Sequence, residues 1–115
     1  MEKRIQLFEL EPEGFKALMG LEKYMANTAL TGTHKELIKI RASQLNGCAF
    51  CINMHTVEAR KQGETEQRIY LLNAWRDTNL FTEEEQAILA LTEEMTMIHQ
   101  RVSDETYRRA AKLFD

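Results

Sequence analysis

The sequence predicts an all-α fold, a bundle of about six helices formed by one domain over residues 1–115. Three observations carry this. Apolar residues recur at three- and four-residue spacing along most of the chain, the period of a helix buried on one side. The 115 residues include one proline and five glycines, which leaves long stretches without a helix breaker. No stretch shows a strong strand pattern of alternating apolar and polar residues. A chain of this length can bury roughly two-thirds of its unfolded surface, enough for one core. With 43% hydrophobic and 29% charged residues it has the balance of a folded globular domain.

Taken in order, a first helix is expected near Pro12, a residue suited to a first helical turn. It carries Phe15, Leu18, Met19, Leu21 and Met25 and ends near Asn27. After the break at Thr31-Gly32, a second helix is expected to start at Thr33, where Thr33 and Glu36 have capping-box spacing. Leu37, Ile38, Ile40 and Leu45 form its apolar face. Asn46-Gly47 interrupts it, and a third helix begins with Cys48 and stops at Gly63, a good left-handed cap. A fourth covers about Thr65 to Trp75, with Ile69, Leu72 and Trp75 on one side. Thr82 and Glu85 form a second capping box, opening a fifth helix through Ile98. Ser103-Asp104-Glu105 opens a sixth, with Tyr107, Ala111 and Phe114 expected to face inward.

Composition also excludes classes of function. The net charge is −3 and the basic residues are scattered among acids, so no footprint for nucleic acid is present. No stretch approaches the ~20 apolar residues of a membrane span. The N-terminal Met1-Glu2-Lys3-Arg4-Ile5-Gln6 lacks the apolar run of a signal peptide. A cytoplasmic location is therefore expected, where two cysteines three apart point to redox chemistry or metal binding before a structural staple.

The candidate site is Cys48-Ala49-Phe50-Cys51-Ile52-Asn53-Met54-His55. On a helix, positions 48, 51 and 55 share one face. Free backbone N–H groups and the positive dipole end at the helix start stabilise a thiolate. Such settings lower a cysteine pKa from about 8.5 to about 3.5–7.5. A second thiol lies close enough for a disulfide, and His55 supplies an imidazole that can pass protons one turn beyond Cys51. Blander readings exist for each residue. The cysteines could be small buried hydrophobes, or half of a zinc site completed by His55 and by His34, His99 or a carboxylate. By spacing alone, Glu36 reads as the capping partner of Thr33. Trp75, Met54 and the other methionines read as core or interface filling.

These residues also resemble a known family. Glu36, eleven intervening residues, then Cys48-x-x-Cys51-x-x-x-His55 is similar to the signature of alkylhydroperoxidase D-like (AhpD-like) proteins of the carboxymuconolactone decarboxylase superfamily. The flanking Arg41-Ala42-Ser43-Gln44-Leu45-Asn46-Gly47, Ala59-Arg60-Lys61-Gln62-Gly63 and Leu71-Leu72-Asn73-Ala74-Trp75-Arg76 carry the likeness further, as do Phe81-Thr82-Glu83 and Ala87 to Glu93. The resemblance implies an AhpD-like helical bundle that assembles as a homo-oligomer, commonly a trimer or hexamer. It implies peroxiredoxin-like activity, with Cys51 as the peroxide-attacking cysteine, Cys48 as the resolving cysteine, and Glu36 and His55 as a proton relay. The partners are then a small organic hydroperoxide or hydrogen peroxide and an external dithiol reductant protein, with no metal or organic cofactor. It also moves the attacking role to Cys51, although local physics favours Cys48 as the more acidic thiol.

Two departures stand out. The best-known peroxidase branch has a histidine just before the second cysteine, where this chain has Phe50. Relatives continue into another helix with an Asn-Trp pair, which points to a domain shortened at its C-terminal end. The branch that names the superfamily lacks the cysteine pair, so its decarboxylation is not expected here. Two other readings remain at this level: a dithiol–disulfide oxidoreductase without a peroxide substrate, and a non-catalytic zinc-binding or interaction module.

Overall fold

A computed structural model describes residues 2–114. Its α-helices are α1 (Leu7–Leu10), α2 (Pro12–Ala26), α3 (Gly32–Asn46), α4 (Ala49–Lys61), α5 (Glu66–Tyr70), α6 (Glu83–Thr96) and α7 (Asp104–Leu113), with 3₁₀ helices at Leu72–Asp77 and Ile98–Gln100. No strand occurs among the described residues. The chain forms two compact units, one up to Leu30 and one from Thr31 onward. No helix of the described residues is long and apolar enough to cross a membrane.

In the first unit, Pro12 opens α2 and Asn27 closes it, as the sequence predicts. The added helix α1 is a single turn, too short to leave a periodic signal. It packs on α2 through Phe8 and Phe15, whose ring centroids lie 5.9 Å apart. Neither helix contains a buried residue.

The second unit holds the core. Leu37, Ile40, Leu72 and Leu89 are completely enclosed, with Ala59, Trp75, Phe81 and Ala90 around them. The antiparallel contact of α3 with α4 begins at a close approach: a Cβ on Gly32 would stand 2.6 Å from Gln62 Oε1. A side chain at position 32 would displace the end of the Gln62 side chain, not the backbone of α4.

Two local expectations change. The fourth helix is not continuous: α5 ends at Tyr70, and a 3₁₀ turn kinked at Ala74 follows. The tighter winding stacks residues three apart on one face, so Leu72 and Trp75 both enter the core. On α7, Tyr107 and Ala111 are exposed rather than inward, and Ala110 is the buried residue. Arg109 and Thr106 lie beside Ala110 on the half-buried side, so the packed face is rotated by one residue from the expected stripe. The capping box at Thr82 and Glu85 forms as predicted. Its glutamate also holds Arg68, which sits 4.7 Å from the centre of the Phe81 ring and binds Glu64 at 2.8 Å. Burial pushes the Glu85 carboxyl up, but hydrogen bonds from Arg68 and Thr82 more than offset this and leave it below the usual carboxylate range. The Glu85 hydrogen bond in turn raises the Arg68 guanidinium above its ordinary value.

Candidate redox site

Cys48 is placed by the end of the preceding helix. Gly47 adopts a left-handed conformation with φ +64°. Its N–H donates to Gln44 O at 3.1 Å, and the Cys48 N–H donates to Ser43 O at 3.1 Å. This paired closure ends α3 and turns the chain directly into α4. Any other residue at 47 would carry a side chain into the left-handed region.

Cys48 is not the first residue of the next helix, as the sequence suggested, but the extended residue that caps it. Its sulfur accepts the Cys51 N–H at 3.2 Å, in the role that a serine oxygen fills at many helix starts. Negative charge on the Cys48 sulfur is therefore favoured by an aligned N–H and by the helix dipole. Cys48 and Cys51 are joined by a disulfide, with their Cα atoms 5.3 Å apart. Both sulfur-bearing residues are half-buried.

Glu36 does not cap α3. The cap is Thr31, whose hydroxyl accepts the His34 N–H at 3.1 Å, two residues before Thr33, and the helix begins at Gly32. Glu36 is thereby released from the helix end. It faces inward at 7% exposure, on the same side as Leu37 and Ile40. Its Oε2 is buried without a hydrogen-bond partner. The nearest basic group is His55 Nδ1, 3.6 Å away on α4. That distance is too long for a hydrogen bond. Because His55 lies four residues beyond Cys51, the Glu36–His55 approach joins α3 to the disulfide-bearing face of α4.

The other candidate ligands do not join this cluster. His34 lies 3.7 Å from Glu84 and meets the edge of the Phe114 ring. His99 is exposed in the 3₁₀ turn after α6. Among the described residues, no group of three or more His, Cys, Asp or Glu side chains is placed to hold a metal ion. Trp75 fills the core, as the sequence suggests, whereas Met54 is 45% exposed.

The family model for the carboxymuconolactone decarboxylase family matches residues 12–94, which include all four site residues. The chain belongs to this family. An uncharacterised Bacillus subtilis protein, YdfG, is 51% identical over 116 residues, covering 100% of this chain and 79% of that protein. An uncharacterised Escherichia coli protein, YnjA, is 25% identical over 81 residues, 70% of this chain and 44% of the relative. The crystal structure of ATU0492, a protein of unknown function from Agrobacterium tumefaciens described as a candidate antioxidant defence protein AhpD, superposes with a TM-score of 0.93 at 38% identity. It covers 99% of this chain and 79% of that one. The chain is thus an AhpD-like member of the carboxymuconolactone decarboxylase family, with an all-helical fold.

In this family member a second polar cluster, which the sequence did not mark, joins α3 to α6. Glu93 on α6 accepts from Arg41 Nε on α3 at 2.9 Å and from Trp75 Nε1 at 2.8 Å, and also from Arg76. Arg41 also donates to Gln44 at 3.0 Å, one turn before the α3–α4 junction. Burial pushes the Glu93 carboxyl up, but the hydrogen bonds from Arg76, Trp75 and Arg41 together hold it below the usual range. The signal that could have found this cluster is the buried tryptophan: an indole N–H in a core needs an acceptor.

Proposed function

We propose that the protein is a thiol-dependent peroxidase that reduces hydroperoxides through Cys51 and Cys48, with Glu36 and His55 moving the protons. The observation that carries this reading is the buried, unbonded Glu36 Oε2 beside His55, on the face that holds the cysteine pair. A buried polar atom without a partner costs stability, and such atoms persist where chemistry uses them.

In the reduced protein, His55 takes the Cys51 proton, directly or through one water, and Glu36 stabilises the imidazolium. The Cys51 thiolate attacks the terminal oxygen of the hydroperoxide. An S–O bond forms, the O–O bond breaks, and the departing alkoxide or hydroxide takes the proton from His55. Cys51 is now a sulfenic acid. The Cys48 sulfur displaces its hydroxyl as water, giving the Cys48–Cys51 disulfide, and an external dithiol protein restores both thiols. The short backbone between the two residues keeps the resolving sulfur beside the attacking one. Neither a metal nor an organic cofactor takes part, and the cycle fits a cytosolic setting with a homo-oligomer as the working form.

The test is consumption of a small organic hydroperoxide with a dithiol reductant. Cys51→Ser should abolish turnover, and full turnover by this variant would refute the role of Cys51. A dithiol–disulfide oxidoreductase with no peroxide step is separated by thiol titration. One equivalent of peroxide should remove two thiols rapidly, whereas inertness to peroxide with fast disulfide exchange would select the oxidoreductase.

A further inference from the structure

The helical hairpin of the first unit has no interior. No residue of α1 or α2 is buried, and Phe15, which meets Phe8, is the one residue in them that is even half-buried. Eight large apolar side chains stay exposed in one copy of the chain, three on α1 and five on α2, at 44–70%. On α2, Leu18, Leu21 and Met25 recur at three- and four-residue spacing, so they share one side of the helix.

Such a unit lacks the means to hold its own shape. Ordering two helices costs conformational entropy at every residue, and one aromatic pair does not offset it. Segments below about 40 residues fold when a disulfide, a metal or another chain supplies what their own core lacks. The Cys48–Cys51 disulfide lies in the second unit. We infer that the exposed apolar face of α1–α2 is the contact surface for a second copy of this chain.

Area and permanence both point to that occupant. At roughly 150–250 Å² for a large side chain, the exposed fractions leave on the order of 800 Å² of apolar surface on the hairpin. A stable interface takes about 800 Å² from each partner, and permanent interfaces between copies are the more apolar class. A surface that a unit needs in order to fold also has to be covered whenever the chain is folded. A reductant or another transient partner leaves it bare between encounters, whereas a second copy is present in equal amount and stays bound. The contact gives a surface to the homo-oligomer of the reading above, and it draws nothing from the cysteines.

The test weighs the full chain by light scattering at about 10 μM. The wild type should have the mass of at least two chains, against 13.4 kDa for one. Leu18→Arg combined with Leu21→Arg should return it to the mass of one chain, while Leu18→Met with Leu21→Met, which keeps the face apolar, should not. Hydrogen exchange reads the same surface without any substitution: α2 amides of the wild type should exchange at least about 100-fold more slowly than in an unstructured chain. A wild-type mass of one chain with α2 protected would assign the face to the chain's own second unit. The same mass with α2 unprotected would leave the face to a different protein, and either result overturns the proposal. An arginine variant that keeps the oligomeric mass would also overturn it, by placing the contact on another face. Loss of two thiols on adding peroxide, measured on the same preparation, reports the redox reading separately.

Discussion

Two of the carboxylates held inside the second unit are treated in opposite ways. Glu93 is met by Arg41, Trp75 and Arg76, which draw α3, the 3₁₀ turn and α6 onto one carboxylate. Glu36, on the same helix as Arg41, keeps one oxygen without a partner and faces a histidine at 3.6 Å. A fully satisfied buried carboxylate is a brace, because removing any partner leaves another group unpaired. An unsatisfied one raises the energy of the fold locally and keeps an acceptor available. The contrast separates residues that hold the bundle together from the residue that gives the bundle its proposed chemistry.

The strongest way to break that contrast is Glu36→Gln. The amide keeps the shape of the side chain and removes its capacity to accept a proton. Peroxide turnover should fall by about 10²–10⁴, the usual contribution of a positioned acid–base group. Thermal stability should stay level or rise, because a buried group that lacked a partner is replaced by a neutral one. Peroxide kinetics and a melting curve on the same preparation check both halves. A marked loss of stability would show Glu36 to be a brace like Glu93.

Glu93→Gln should behave in reverse. It replaces charge-assisted hydrogen bonds by neutral ones and should cost about 1.5–3 kcal/mol in urea unfolding, with turnover retained under folding conditions. The sign of the pH dependence follows from the lowered carboxyls of Glu93 and Glu85. A group with a depressed folded pKa stabilises the fold above its unfolded value and loses that contribution as pH falls through the folded one. Stability of the wild type should therefore decline as pH drops below the ordinary value of 4.5. Glu93→Gln should decline less steeply, keeping only the Glu85 share. Equal slopes would remove Glu93 from its role as the brace.

The sequence makes the helices and the cysteine pair legible because these are local signals. Pro12, Thr82 with Glu85, and Ser103 mark helix starts through their own backbone chemistry. Cys48, Cys51 and His55 share a face because a helix has a fixed period. What depends on packing was harder to see. The break after Tyr70 serves to bring Leu72 and Trp75 together in the core, and the rotated face of α7 is set by α6. The inward position of Glu36 was accessible only through resemblance, since a threonine three residues before a glutamate describes Thr33–Glu36 and Thr82–Glu85 equally well. Only the second pair forms the cap.

That ambiguity gives the smallest and most local test. Thr31 is the residue whose hydroxyl caps α3, so Thr31→Ala should cost about 1 kcal/mol in chemical denaturation. Thr33 lies inside the helix, and Thr33→Ala should change stability by less than about 0.5 kcal/mol. The reverse order would mean that the helix begins at Thr33 and that Glu36 turns back to its N–H. Glu36 would then be a capping residue, like Glu85, and His55 would lose its partner across the α3–α4 contact. The proposed relay therefore depends on a helix start two residues earlier than the motif suggests, and the two alanine variants distinguish the arrangements without touching the cysteines.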